Sequence, residues 1–120
     1  MKTRLTHEFS FEASHRLDHL GPGHPCFPLH GHSYIVELVI EGEVNPTTGF
    51  LMDYADICRA ADPLIRRLDH THLNDIADLQ FTTTEHIARW LWIRLKDVLP
   101  QLIEITIRES RSTACTYRGE

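Results

Sequence analysis

No run of apolar residues in this 120-residue chain approaches the length a membrane helix needs. The opening segment, MKTRLTHEFSF, has no long apolar block before a small-residue cleavage site, so it does not read as a secretion signal, and a cytoplasmic protein is expected. Positive charge is also scarce. Lys and Arg total 12 against 17 Asp and Glu, for a formal charge of −5. That balance argues against nonspecific nucleic-acid binding, which needs a basic face, but leaves room for a local pocket that takes a phosphorylated small molecule. The three cysteines, Cys26, Cys58 and Cys115, are widely spaced and form no Cys-x-x-Cys. Neither a disulfide framework nor a zinc finger fits them. There is no repeat, low-complexity stretch or linker, so residues 1–120 read as one domain.

Histidine is abundant: nine occur, and the useful question is which of them converge. The hydrophobic pattern supplies the frame. Leu5, Phe9, Phe11 and Ala13 share one parity over residues 3–13, which predicts a half-buried strand. Residues 16–29, with Gly21, Pro22, Gly23, Pro25 and Pro28, predict a loop. Tyr34, Val36, Leu38 and Ile40 predict a second strand over 32–43, antiparallel to the first, and Asn45–Gly49 a turn. Asp53 is placed to cap a helix carrying Ile57, Ala61, Leu64 and Leu68, which Pro63 should kink or split. Thr82-x-x-Glu85 reads as a capping box opening a second helix with Ile87, Leu91, Leu95 and Val98 on one stripe, ended by Pro100. Ile103, Ile105 and Ile107 mark a third strand and residues 113–118 a fourth. The order is ββααββ, an α+β domain.

His30 and His32 flank Gly31 at the start of the second strand, so their rings face one way, with Tyr34 and Val36. His15 extends the inner face of the first strand. If the strands are neighbours, the three imidazoles meet at their connecting ends. Three protein ligands and an open position describe a catalytic zinc site, although imidazole alone also suits copper or nickel. The competing reading is a polar strand end with solvated histidines.

Cys26, between Pro25 and Phe27, leads into this site. Near a cation and histidine its thiol is easier to deprotonate. A fourth ligand closing a structural site and an inert buried thiol remain open alternatives. Asp69-His70 follows the first helix and can form a proton-relay pair, or simply be a surface dipeptide. Glu109 continues the face of Ile103, Ile105 and Ile107. A carboxylate there needs a partner, and the amidine-like edge of a pterin or guanine would serve; a solvated strand end is the alternative. Cys58 and Cys115 read as core packing.

Together, Phe11-Glu12-Ala13-Ser14-His15-Arg16-Leu17, Cys26-x-x-x-His30-Gly31-His32, Leu68-Asp69-His70, Thr83-Thr84-Glu85 and Glu109 resemble the 6-pyruvoyltetrahydropterin synthase family over nearly the whole chain. The Cys-x₃-His-Gly-His spacing and the ending Cys115–Glu120 are similar to its 6-carboxytetrahydropterin synthase branch. The resemblance implies a tunnelling fold: a four-stranded antiparallel sheet with two helices on one face, assembled as a dimer of trimers with sites between subunits. It implies Zn²⁺ on His15, His30 and His32. It also implies Cys26 as base with Asp69 and His70 as relay, Glu109 on the pterin or in the relay, and Thr83 and Thr84 against the ring. The implied substrate is 7,8-dihydroneopterin triphosphate. The implied products are 6-carboxy-5,6,7,8-tetrahydropterin, acetaldehyde and triphosphate, in queuosine biosynthesis. Arg16, Arg108 and Arg111 are candidates for the triphosphate. The alternatives are the pyruvoyl product from the same fold, or a noncatalytic metal-binding module.

Overall fold

Two 14-residue strands, β1 (Lys2–His15) and β2 (His30–Glu43), form the backbone of the structure, a computed structural model that describes residues 1–120. They pair antiparallel without a break from Lys2↔Glu43 to His15↔His30. Their alternation is the reason. Phe9 faces Val36 and Phe11 faces Tyr34 across the ladder, and the rings of Phe11 and Tyr34 stack at 4.6 Å. Such pairs on a covered face stabilise a sheet and fix its register. The opposite face is largely polar, with Arg4 bonded to Glu41 at 3.0 Å.

After β2 come α1 (Tyr54–Leu68), a two-residue strand β3 (Thr71–His72), α2 (Thr84–Leu95), β4 (Leu102–Arg108) and β5 (Cys115–Tyr117). The sheet order is β3-β1-β2-β4-β5. Five strands therefore stand where four were expected. The addition, β3, pairs parallel with β1 at Ala13 and Ser14, so the sheet is not purely antiparallel. Two residues are too few to show a periodicity, which hides β3 from pattern reading. The α+β architecture, with both helices packed on the apolar face, is as expected.

Asp53 caps α1 by accepting from the Ala55 amide at 2.9 Å. Ile57, Ala61, Ile65 and Leu68 are its buried stripe. Each of the Ile and Leu side chains contributes about 1.5–3 kcal/mol on leaving water. α2 buries Ile87, Ala88, Trp90, Leu91 and Leu95, whereas Val98 lies beyond the helix and is exposed. The cap of α2 sits one residue later than expected: Thr83 accepts from the His86 amide. Thr82 is buried and bonds elsewhere. In β4 the register slips between Val39 and Ile40, where Ile40 pairs with Leu102. Ile103 is the extra residue of this bulge, so Leu102 takes the core position that strict alternation gives to Ile103.

Pro63 lies inside α1, which runs through it as one element. The residue is exposed, so water can take the carbonyl that loses its helical partner. Restoring the amide should help. Pro63→Ala is expected to stabilise the fold by about 1–2 kcal/mol, read as a raised urea midpoint at unchanged slope; a lowered midpoint would contradict this account.

Candidate metal centre and active site

The β1–β2 ladder ends on its last pair, His15 opposite His30, with His32 opposite Ala13. All three rings lie on the helix-covered face, just past Phe11 and Tyr34. Ring centroids are 4.5 Å apart for His15 and His30, 5.1 Å for His15 and His32, and 4.9 Å for His30 and His32. One nitrogen from each lies within 4.8 Å of the other two. Gly31 permits this approach: a Cβ there would stand 3.2 Å from the Ala13 carbonyl oxygen.

The tautomers follow from the acceptors. Nδ1 of His15 faces the Thr82 carbonyl at 2.9 Å and the Thr82 hydroxyl at 3.1 Å. Nδ1 of His30 faces the Pro28 carbonyl at 2.8 Å. A carbonyl only accepts, so both Nδ1 atoms carry hydrogen, and in the neutral ring Nε2 is then the atom with the lone pair. His15 is 2 % exposed, and its Nε2 is buried without a partner. An orphaned buried acceptor is costly unless something fills it. Three convergent imidazoles with such an orphan fit a divalent transition metal such as zinc. Cys26 is not a member of this set.

Burial lowers the pKa of His15 to about 4, and the neighbouring His30, His32 and His72 add to the effect against the Thr82 carbonyl, which opposes it. His15 is therefore neutral at pH 7, as a ligand must be.

Cys26 is held beside the end of β1. The Leu17 amide donates to the Cys26 carbonyl at 2.9 Å, the Cys26 amide donates to His24 Nδ1 at 3.0 Å, and Arg16 lies over the Phe27 ring at 4.5 Å. Glu109 follows β4 on the face of Ile105 and Ile107, half-buried, with Oε2 3.7 Å from His32 Nε2. The carboxylate therefore stands at the rim of the histidine cluster. Beside it, burial first and Glu109 second raise the Tyr34 hydroxyl far above its ordinary value.

Asp69 and His70 do touch: Oδ2 and Nδ1 are 3.0 Å apart. The pair docks on Glu12, whose amide donates to Asp69 Oδ1 at 2.9 Å and whose carbonyl accepts from the His70 amide. The Glu12 amide first, and the His70 ring second, hold the Asp69 carboxyl below its usual range. His70 takes a left-handed backbone, φ 57°, uncommon for a residue with a side chain. Its ring is 80 % exposed. It shares an open cavity of about 620 Å³ with His32, His72 and Ser14, and makes no hydrogen bond to Cys26. Thr83 and Thr84 stand at the start of α2, Thr83 as its cap and Thr84 donating to Glu85 at 2.9 Å.

Neither remaining cysteine is core packing. Cys58 is half-buried, 3.2 Å from His7 Nε2, and Cys115 is half-buried beside Thr84 and Glu85, where burial pushes its thiol up. Two residues escaped sequence reasoning. Thr82 was read as a cap and instead holds His15. Asn74 clamps the Arg16 backbone, accepting from its amide and donating to its carbonyl, both at 2.9 Å. A loop asparagine carries no sequence signal for that role.

Residues 4–120 match the family model described as 6-pyruvoyl tetrahydropterin synthase. The chain belongs to this family, an enzymatic one. It is 35% identical to 6-carboxy-5,6,7,8-tetrahydropterin synthase of Synechocystis, over 92% of this chain and 88% of that one. It is 36% identical to dihydroneopterin monophosphate aldolase of Pyrococcus furiosus, over 83% and 81%. The structure is similar to that of Caenorhabditis elegans 6-pyruvoyl tetrahydropterin synthase, with a TM-score of 0.89 and 25% identity, covering 100% of this chain and 97% of that one. The relatives thus carry three different activity names on one fold. No helix of the chain is long and apolar enough to cross a membrane.

The depressed value of His15 has a consequence for metal-free protein. The unfolded chain takes the proton near pH 6.5 and the folded chain only near pH 4. Stability contributed by neutral His15 is thus complete above about 6.5 and falls by up to ~3 kcal/mol as pH drops to about 4. NMR titration of chelator-treated protein checks the cause; a His15 ring titrating near 6.5 would contradict it.

Proposed function

We propose that this chain is a zinc-dependent lyase that converts 7,8-dihydroneopterin triphosphate to 6-carboxy-5,6,7,8-tetrahydropterin, acetaldehyde and triphosphate, in queuosine (7-deazapurine) biosynthesis. The observation that carries this reading is the cluster of three imidazoles with Glu109 at its rim. The choice among the family's reactions rests on the spacing of Cys26 before His30-Gly31-His32 and on the similarity to the Synechocystis enzyme.

His15, His30 and His32 hold the zinc in this reading. Bound there, it supplies Lewis acidity that makes the substrate's side-chain positions easier to deprotonate. Cys26 takes a proton at Sγ. Asp69 orients His70 through Nδ1, so that Nε2 is the atom that relays the proton. Glu109 accepts from the donor-rich edge of the pterin, and Thr83 and Thr84 border the ring. The exposed Asp69-His70 pair shares no hydrogen bond with this chain's own Cys26, which favours a homohexamer in which the pair serves a neighbouring subunit's site. A cytoplasmic location accords with a soluble pterin triphosphate substrate.

Incubation of zinc-loaded protein with 7,8-dihydroneopterin triphosphate should release acetaldehyde together with the 6-carboxy product. A pyruvoyl product without acetaldehyde would place the chain with the pyruvoyl synthases instead. Two variants separate an enzyme from a metal-binding module. Cys26→Ala should keep its zinc and lose turnover by about 100-fold or more, whereas His30→Ala should lose zinc. Zinc lost with Cys26→Ala would make the thiol a ligand, and zinc fully kept by His30→Ala would contradict the metal assignment.

A further inference from the structure

The hydrogen of His15 Nδ1 is shared between two oxygens of one residue, the carbonyl and the hydroxyl of Thr82, at 2.9 and 3.1 Å. Both residues are buried, His15 at 2 % and Thr82 at 3 % exposure. His30, by contrast, relies on a single carbonyl two residues away in its own loop. His15 is thus tied by hydrogen bonds to a distant part of the chain, 67 residues on. The anchor itself is firm. Thr83 caps α2 immediately after it, and the Phe81 ring immediately before it packs between His19 and His86 at 4.8 and 4.9 Å.

We propose that Thr82 is the positioning residue of the metal centre. Its two oxygens fix the His15 tautomer and the ring's direction, so that the orphaned Nε2 stays aimed into the three-nitrogen set and is not free to rotate with the ring. Without the hydroxyl, the Nδ1 hydrogen keeps one acceptor of the two, the ring gains freedom about its side-chain torsions, and each metal-binding event must order it again. A partner of this kind, on the far nitrogen of a ligating histidine, typically changes metal affinity by about 10–100-fold when removed. The same segment starts α2, so the metal set and the Thr83–Thr84 edge of the site are held by one stretch of backbone.

This inference rests on the metal reading above, and the test separates the two. Zinc affinity is measured by competition with a chromophoric chelator for the unaltered protein, Thr82→Val and Thr82→Ser, and metal-free thermal midpoints are recorded for each. The expected result is a roughly tenfold weaker Thr82→Val and a Thr82→Ser close to the unaltered protein, because serine restores the hydroxyl. A residue that is structural only would lower the metal-free midpoint and leave zinc affinity where it was, and that outcome overturns the proposal. So does a Thr82→Ser as weak as Thr82→Val. Failure of the unaltered protein to bind zinc would strike the metal reading itself. Imidazole nitrogen NMR of the metal-free unaltered protein needs no variant to fold: it should show His15 protonated at Nδ1, and protonation at Nε2 would overturn the assignment.

Discussion

The uninterrupted pairing of β1 with β2 is the constraint on which everything else depends. Fourteen residue pairs in one register set His15 opposite His30 and bring His32 onto the same face two residues along. The period of a strand is two, so a slip of one residue would turn every member of one strand to the other face and scatter the imidazoles. What prevents the slip is the apolar half of the same ladder. Phe9, Phe11, Val36 and Leu38 lie under α1 and α2, and moving them to the polar face would return their surface to water. The hydrophobic core thus specifies the metal site and meets it at Tyr34, whose ring centroid lies 5.4 Å from that of His32.

The site exploits the place where that core ends. Beyond Phe11 and Tyr34 the covered face continues, but its residues become histidine and glutamate. Burial keeps His15 neutral and leaves its Nε2 without a partner, two conditions that make a good ligand and a poor structural residue. Polar groups in such a position are a cost to folding; a cation held there, as proposed above, accounts for that cost being carried. The Asp69-His70 pair shows the same economy. Its left-handed backbone at His70 is uncommon, and it is secured by two hydrogen bonds to Glu12 on the neighbouring strand.

Parity was enough to read much of this from the residues alone. It placed His15, His30, His32 and Glu109 on one face, because alternation is a local property and the covered face is long. It failed where tertiary pairing overrides local pattern. The bulge at Ile103 depends on how β4 meets β2, and β3 exists only because Thr71 and His72 fall beside β1 after α1 ends. Thr82, Thr83 and Thr84 are chemically alike, so nothing local tells which one caps the helix and which one turns inward to His15. The clamp of Asn74 on Arg16 spans 58 residues and is invisible to any window. Pro63 does not split α1, because a proline that faces solvent leaves the freed carbonyl to water.

The central claim is that three imidazole nitrogens from adjoining strands share one cation while a further coordination position stays available. X-ray absorption at the metal edge of zinc-loaded protein tests it most directly. The account predicts three imidazole nitrogens at about 2.0–2.1 Å with a light oxygen donor completing the shell. A sulfur scatterer at about 2.3 Å, or fewer than three imidazoles, would contradict it.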